Sequence, residues 1–396
     1  MIKTQTHDDA TYGFSEIAGP IDLTRALISQ HTVTSSIDPG FVEKFSGWLT
    51  TVGFDVRRIS VDGIEHMLAT IGPSSPRLRV AFIGHYDTVP FGNGWRHPPL
   101  GAHEEDGVIY GRGASDMKSG DSAMIFAALD VAKEGIHSTL FLPGDEETAS
   151  QGMPALLELV SDNLDLCICG EPTSKSVLGD CLKIGRRGRI LGSVTLKGKA
   201  GHAAYAEITP NIIEALPAVI KELSAPWNDS CFETATTLAI TNLSTDSTAS
   251  NVIPGTVTLT FDTRFAPDRS SVEIESEIQR RLVASGVPCE LNVSKSSPAY
   301  LTDIRADSDS KQVRFVECAL REIQAVTGKT PKISCDGGAS DARYVAARGV
   351  PTIEFGVAHG NMHGPDEFVD ARSIELLREI YGRIVRAMAS ESKAWR

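Results

Sequence analysis

Short apolar runs bounded by turn residues alternate with helix-like stretches through the first half of the chain. LRVAFIGHYD (78–87), STLFLPGDEE (138–147) and DLCICGEPT (165–173) each begin apolar and end polar, as strands leading into loops do. SGDSAMIFAALDVAKEG (119–135) and MPALLELVSDN (153–163) lie between them and have the spacing of helices. This β-α-β-α-β order predicts an α/β fold with a mostly parallel sheet and helices on both faces.

The middle of the chain has a different pattern. Apolar and polar residues alternate in three segments, RILGSVTLKG (189–198), TATTLAITNL (234–243) and GTVTLTFDTRF (255–265), as in half-buried antiparallel strands. Two helical stretches lie near 209–224 and 270–285. These elements predict an inserted α+β module with an antiparallel sheet and two helices.

The α/β pattern then resumes with a helix near 308–327, the strands PKISCD and PTIEFG, and a final helix at about 371–389. We therefore predict one domain formed by residues 1–187 and 299–396, interrupted by an inserted domain at 188–298.

The charge of the chain limits its partners. Lys and Arg total 38 and Asp and Glu total 51, which gives a formal net charge of −13. A nucleic-acid-binding protein needs a basic surface, and so does a protein that adheres to anionic membranes. We expect neither partner, although a local group of arginines could still bind a small anionic substrate.

The cysteines and the N-terminal sequence favour the cytoplasm. The seven cysteines show no C-x-x-C spacing, which is typical of reduced thiols and not of a disulfide framework. The first twenty residues lack the apolar core of a signal peptide, and no apolar run is long enough to span a membrane.

Polar side chains gather at the predicted strand ends, where α/β sheets carry their sites. Histidine and carboxylate ligands without a thiolate suit Zn²⁺, Co²⁺ or Mn²⁺. One carboxylate can bridge two such ions, and one of two adjacent glutamates can serve as a general base. The residues concerned are His85, Asp87, Asp116, Glu146, Glu147, Glu171 and, late in the chain, His363.

Each of these residues also has an ordinary structural explanation. An acid at a strand end is commonly a helix cap or a solvated turn residue, and Asp116 directly precedes a predicted helix. Seven such residues at one sheet edge are much harder to explain in this way, so the group predicts a metal site.

Five motifs then make a family resemblance plain. The chain resembles the M20 family of dinuclear metallo-amidohydrolases and peptidases through GHYDTVP (84–90), YGRGASDMKSG (110–120), GDEET (144–148), GEPT (170–173) and MHGPDE (362–367). The resemblance implies two divalent ions, with Zn²⁺ expected and Co²⁺ or Mn²⁺ as alternatives. It also implies that Asp116 bridges the ions, that His85 and Glu171 bind one ion, and that Glu147 and His363 bind the other. Glu146 would be the general base, with Asp87 behind His85.

Further segments resemble a subgroup that hydrolyses N-acyl amino acids, and they imply a substrate and its contacts. These segments are LGDCLKIGRRG (178–188), KGKAGHAAY (197–205), NVIPGTVTLTFDTRF (251–265) and GGASDARYVAARGVPTIEFGV (337–357). The expected substrate is N-succinyl-LL-2,6-diaminopimelate; an N-acetylornithine deacetylase and a broader aminoacylase or carboxypeptidase are the alternatives. The inserted domain would form a lid and a homodimer interface, and His202 would reach the partner subunit's site to stabilise the oxyanion. The expected substrate contacts are Tyr205, Asn251, Arg264, Gly338, Ser340 and Arg343. Two departures from the subgroup pattern, Ala339 in place of Thr and Gly364-Pro365 after His363, bear on acyl and amine specificity.

Other protein classes fit the sequence less well. Met117 stands where a Walker A motif needs Gly, and Asp116 stands where the dinucleotide fingerprint needs its third Gly. The chain has no G-x-S-x-G element for a serine nucleophile. A binding protein without activity would have lost a ligand or the base, whereas all seven residues are present.

Overall fold

A computed structural model describes residues 12–161, 163–229, 235–305 and 310–391 of the chain. The chain forms two compact units. The first comprises Met1–Ile184, Thr302–Ser334 and Ser340–Arg396, and the second comprises Gly185–Leu301 and Cys335–Ala339.

The helices and strands of the described residues are numbered in chain order. The α-helices are α1 (Pro20–Ile28), α2 (Phe41–Thr51), α3 (Ser119–Ala132), α4 (Gly152–Leu157), α5 (Leu216–Leu223), α6 (Ser271–Ala284), α7 (Lys311–Thr327), α8 (Ala342–Ala346) and α9 (Ala371–Glu391). The strands are β1 (Asp55–Val61), β2 (Ile64–Ile71), β3 (Arg79–Ile83), β4 (His103–Glu105), β5 (Val108–Tyr110), β6 (His137–Leu142), β7 (Leu166–Cys169), β8 (Cys181–Lys183), β9 (Gly185–Arg186), β10 (Gly188–Lys197), β11 (Gly201–His202), β12 (Thr237–Thr245), β13 (Val252–Ile253), β14 (Thr256–Phe265), β15 (Cys289–Ser297), β16 (Tyr300–Leu301), β17 (Lys332–Ser334), β18 (Thr352–Glu354) and β19 (Phe368–Asp370).

An eight-stranded sheet forms the centre of the first unit. Its strand order is β1-β2-β6-β3-β7-β18-β8-β17, and β6-β3-β7-β18 run parallel to one another. All four residues of β7 are buried, as expected for a strand covered on both faces. The helix α3 packs against α1 and α9, and α9 packs against α7. The predicted α/β fold with a mostly parallel sheet is therefore confirmed.

The second unit has an antiparallel sheet of four strands in the order β12-β14-β10-β15. Buried and half-buried residues alternate along β14 without a break, and along β10 up to its last residue, as the sequence pattern predicts. The buried side chains of the sheet pack with those of α5 and α6, including Val219, Phe261 and Ile278. A capping box between Ser270 and Glu273 begins α6.

The strands differ from the sequence-based expectation in two respects. The predicted strand 78–87 ends early: β3 stops at Ile83, so His85 and Asp87 lie in the loop beyond it and not on one face of a strand. The antiparallel hairpin of β1 and β2, which extends the parallel strands on one side, was not predicted.

The six described cysteines are all thiols, as predicted, and five of them are buried. Cys231 lies outside the described residues. Among the helices of the described ranges, none combines the length and the apolar character needed to cross a bilayer.

Candidate metal centre

The polar side chains predicted at the strand ends lie together in the first unit. His85 follows β3, Glu146 and Glu147 follow β6, and Glu171 follows β7. These three strands are parallel neighbours in the order β6-β3-β7, so their carboxyl ends meet at one edge of the sheet. This is the edge at which α/β proteins bind ligands.

Asp116 lies between two histidines. It belongs to an irregular turn, Ala114–Lys118, that leads directly into α3, and its peptide bond to Met117 is cis. Its Oδ1 is 3.3 Å from Nε2 of His85, and its Oδ2 is 3.2 Å from Nε2 of His363. The two oxygens of one carboxylate therefore face two different imidazoles, as a ligand shared by two ions must.

Each histidine also has a carboxylate of its own. Nε2 of His85 lies 3.7 Å from Oε1 of Glu171, and Nε2 of His363 lies 3.2 Å from Oε1 of Glu147. With zinc–ligand bonds of roughly 2.0–2.2 Å, the ligand atoms of a tetrahedral shell are about 3.4 Å apart. The donor atoms thus have the chemistry of divalent-cation ligands, and His85, Asp116 and Glu147 have ligand atoms within 4.8 Å of one another.

The charges of the group also favour cations. Burial alone would lower the pKa of His85, but hydrogen bonds to Asp116 and Asp87 outweigh it and raise that pKa well above its usual value. Hydrogen bonds to Asp116 and Glu147 raise the pKa of His363 to about 10. The carboxylates thus favour the positively charged form of both rings, and divalent ions would take the place of those protons.

Glu146 is half-buried next to its neighbours His85 and Glu171, and the three side chains have ligand atoms within 4.8 Å of one another. Burial, followed by the nearby charge of Glu171, raises the pKa of Glu146 well above that of an ordinary glutamate. A carboxylate with a raised pKa accepts a proton more readily, which suits a general base.

Asp87 connects two of the ligand-bearing loops. Its buried carboxylate accepts the backbone N–H groups of Glu146 and Glu147, each at 3.2 Å. The Oγ1 of Thr34 donates to the same carboxylate at 2.6 Å, a contact that the sequence analysis did not identify. No local motif contains Thr34, so its sequence offered no signal for this contact.

Arg112 and Glu367 were also missed, although both lie inside motifs quoted for the family. They form a fully buried ion pair with a distance of 2.7 Å, and Glu367 accepts the backbone N–H of Asp116 at 3.0 Å. The sequence contained a signal for both, because Arg112 lies four positions before Asp116 and Glu367 lies four positions after His363.

Three of the predicted substrate-site residues lie together in the second unit. His202 ends β11, Asn251 directly precedes β13, and these two short strands pair with each other. The imidazole of His202 is exposed, and the ring of Tyr205 lies 5.9 Å from it in an edge-on arrangement. The Nδ1 atom of His202 accepts the backbone N–H of Ala204, so the neutral ring carries its proton on Nε2.

Arg264 lies elsewhere in this unit, on β14. It shares the carboxylate of Asp262 with Arg189, which faces it across the sheet on β10. Because both guanidinium groups pair with the single carboxylate of Asp262, the group has a net charge of one positive unit. The side chains of Arg189, Arg264 and Asp262 are partly exposed.

The remaining predicted contacts differ in their surroundings. The guanidinium of Arg343 is buried and donates to the Ser340 carbonyl, to Ser150 Oγ and to Tyr344 Oη. The hydroxyl of Ser340 donates to the buried Glu354, whereas Gly338 is exposed. The guanidinium of Arg343 thus donates to three groups of the protein, and its role as a substrate contact stays a prediction.

A second group of metal-ligand types lies on the surface of the first unit. It consists of His97, His103 and Glu105, whose ligand atoms lie within 4.8 Å of one another. The two imidazoles stack with centroids 4.4 Å apart and planes 13° apart. Their nitrogen lone pairs lie in parallel planes and do not converge on one point, so this group lacks the arrangement found around Asp116.

The fold and the site define the class of the protein. Residues 81–387 match the sequence model of the family described as Peptidase family M20/M25/M40. The chain belongs to this family of hydrolases.

Relatives in sequence are more specific. Succinyl-diaminopimelate desuccinylase of Acidiphilium cryptum (strain JF-5) is 35% identical over 380 residues, which cover 93% of this chain and 98% of that protein. The protein of the same name from Maricaulis maris (strain MCS10) is 35% identical over 387 residues, covering 94% of this chain and 96% of that protein.

Solved structures share the fold at lower identity. The aminopeptidase PepT of Bacillus cereus matches with a TM-score of 0.74 at 20% identity, covering 95% of this chain and all of that one. YXEP of Bacillus subtilis, described as a dinuclear metal binding peptidase of the M20 family, has a TM-score of 0.68 at 15% identity. That match covers 94% of this chain and 98% of the other.

Proposed function

We propose that this protein removes the succinyl group from N-succinyl-LL-2,6-diaminopimelate, giving succinate and LL-diaminopimelate. The observation that carries the hydrolytic part of the proposal is the position of Asp116, whose two oxygens face His85 and His363. The choice of substrate is supported by relatives named succinyl-diaminopimelate desuccinylase at 35% identity.

The donor set fits two divalent ions, and we propose Zn²⁺ in both positions. His85 and Glu171 would bind one ion, Glu147 and His363 the other, and Asp116 would bind both. Such ions polarise an amide carbonyl and lower the pKa of a bound water towards about 7.

Proton transfer is assigned to Glu146. Its raised pKa and its place beside His85 and Glu171 support a role in taking the proton of the attacking water. The protonated carboxyl would then deliver that proton to the nitrogen of the leaving amine, which completes the cleavage of the amide. Asp87 would keep Glu146 and Glu147 in place through their backbone N–H groups.

Stabilisation of the oxyanion is assigned to His202. Since Nδ1 accepts a backbone N–H, the Nε2–H is available as a donor to the carbonyl oxygen as it gains charge. We propose that it acts on the site of the partner subunit in a homodimer formed through the second unit. Apolar side chains on the surface of that unit support such an interface: Val272 and Val283, on α6, are each 72% exposed.

Recognition of the substrate carboxylates needs positive charge within an acidic chain. The group of Arg189, Arg264 and Asp262, with its one net positive charge, supports a role for Arg264 in pairing with a carboxylate. Tyr205 and Asn251, close to His202, would contribute polar contacts. We also place the enzyme in the cytoplasm, which agrees with the thiol state and the burial of most of the described cysteines.

A direct comparison of substrates tests the proposal. Purified protein loaded with Zn²⁺ is incubated with N-succinyl-LL-2,6-diaminopimelate and, separately, with N-acetylornithine and an unblocked dipeptide, and kcat/KM is measured for each. We expect the succinyl substrate to be preferred. A preference for N-acetylornithine would reassign the enzyme as a deacetylase, and a preference for the dipeptide would reassign it as a peptidase.

A further inference from the structure

Arg112 and Glu367 form a buried ion pair in the first unit, and neither is one of the proposed ligands. Both side chains are about 1% exposed, and Nη1 of Arg112 is 2.7 Å from Oε2 of Glu367. Removing two charges from water is costly, and a buried pair of this kind persists only where further hydrogen bonds satisfy both partners. The partners that supply those bonds indicate what the pair does.

Glu367 accepts hydrogen bonds from the backbone of Asp116 and of the residues that precede it in the chain. Its Oε1 accepts the N–H groups of Ser115 and Asp116 at 2.9 and 3.0 Å and also the hydroxyl of Ser115. Its Oε2 accepts the N–H of Gly113 at 3.0 Å. One carboxylate therefore fixes three N–H groups of the short segment that carries the proposed shared ligand.

Gly113 explains why the segment can wrap around this carboxylate. Its φ is 82°, a left-handed conformation that glycine adopts at little cost, and a Cβ there would lie 2.8–3.0 Å from Lys118 and Thr88. The backbone is thus shaped to point the N–H groups of Gly113, Ser115 and Asp116 at one acceptor.

Arg112 donates hydrogen bonds to backbone carbonyls in two other loops near the proposed ligands. Its Nη2 donates to the carbonyls of Pro90 and Phe91, each at 3.2 Å, and to the carbonyl of His363 at 3.3 Å. Pro90 and Phe91 follow the loop of His85 and Asp87, and His363 is a proposed ligand with a φ of 63°. One guanidinium thus connects the loops of both histidines.

We propose that Arg112 and Glu367 are positioning residues that set the separation of Asp116 from His363 and thereby the affinity of the two ion sites. This inference rests on the two proposed metal ions, and both side chains are buried too deeply to contact a substrate. Glu367 acts on both ions because Asp116 is shared. Arg112 acts mainly on the ion held by His363 and Glu147, because it holds the His363 carbonyl.

The first test uses Glu367→Gln, which keeps the size of the side chain but turns an NH₂ group towards backbone N–H donors. Dissociation constants of Zn²⁺ are measured by competition with a chelator, site by site, and kcat and KM are measured at saturating Zn²⁺. We expect both ions to bind 10–100-fold more weakly, the usual effect of losing a group that orients ligands. At saturating Zn²⁺ we expect kcat to recover in part.

Asp130→Asn is the matched control, because Asp130 forms a two-bond ion pair with Arg378 away from the proposed ligands. This variant should bind both ions as the wild type does. Equal losses of Zn²⁺ affinity in the two variants would overturn the inference, as would unchanged Zn²⁺ affinity in Glu367→Gln.

Arg112→Lys carries the test if Glu367→Gln does not fold. It keeps a cation beside Glu367 but cannot reach Glu367 and three carbonyls together. We expect the weaker binding to be confined mainly to one of the two ions, and an equal loss at both would contradict the role given to Arg112. The Zn²⁺ measurements need no substrate. A wild type that binds two ions but leaves the succinyl substrate intact would refute the proposed reaction and not this inference.

Discussion

The Nδ1 atom of His85 lies 3.0 Å from the backbone carbonyl of Asp87 and 3.5 Å from the carboxylate of the same residue. Nε2, the other ring nitrogen, faces Asp116. The two acceptors on the Nδ1 side keep the proton there, so Nε2 presents its lone pair to the proposed ion.

Asp87→Asn tests this relationship. The amide would lose one acceptor for the N–H groups of Glu146 and Glu147, and it would no longer support the tautomer of His85 by charge. We expect about 10–100-fold weaker Zn²⁺ binding and a lower kcat. Chelator competition and steady-state kinetics measure the two effects, and a variant equal to the wild type in both would show that Asp87 does not position these ligands.

Glu146→Gln separates binding from proton transfer. The variant should keep both ions, because Glu146 is not among the proposed ligands, while kcat falls by about 10²–10⁴-fold. Metal content and turnover are measured on the same preparation, with the surface residue Glu158 changed to Gln as the control. Turnover at the wild-type rate would show that another group is the base.

His202→Ala should lower kcat by about 10²–10³-fold, the usual effect of removing one donor to an oxyanion. The Zn²⁺ content should not change, since all proposed ligands belong to the first unit. The exposed His103 offers a control, because its change to Ala should leave kcat as it is.

Mixed dimers test whether His202 acts on the partner subunit. In a dimer of one Glu146→Gln and one His202→Ala subunit, a site completed by the partner's histidine would be intact in one of its two positions. Unfolding and refolding the two inactive variants together should then restore activity. If each subunit uses its own His202, the mixture stays inactive.

Asp121, on α3, should make stability depend on pH. Its carboxyl is fully buried against Gly84 and, within the described residues, neither oxygen has a hydrogen-bond partner. Burial raises the pKa of Asp121 to about 8. The folded state therefore keeps a proton that the unfolded chain releases above about pH 4, and the free energy of unfolding falls as the pH rises from about 4 to about 8.

Asp121→Asn removes this titration. Its stability gain over the wild type should grow across that pH range, reach on the order of a few kcal/mol and stay constant above it. Urea unfolding of the metal-free proteins at pH 5 and pH 9 measures the gain. Asp130→Asn, on the same helix, should lose stability because its contact with Arg378 is broken, and an equal gain at both pH values for Asp121→Asn would contradict the prediction.

The grouping of most proposed ligands at one sheet edge could be predicted because those residues lie next to a local signal. His85, Glu146 and Glu171 directly follow apolar strands, and parallel strands bring their carboxyl ends together. The contacts between distant loops were not predictable in the same way. Arg112 and Glu367 are 255 positions apart, and only the folded path of the chain brings them into contact. The engagement of Arg343 by Ser150 and Tyr344 likewise depends on packing that no motif records.

Gly185–Leu301, the main segment of the second unit, begins and ends at neighbouring points of the chain. The N–H of Thr302 donates to the carbonyl of Ile184 at 2.7 Å, and β9 pairs with β16 just beyond them. Closing the chain across this point would need only a tight turn, so the insertion adds little loop-closure entropy to the folding of the unit that contains the proposed ligands. Such a segment could be replaced during evolution while the sheet edge with the proposed ligands stays unchanged.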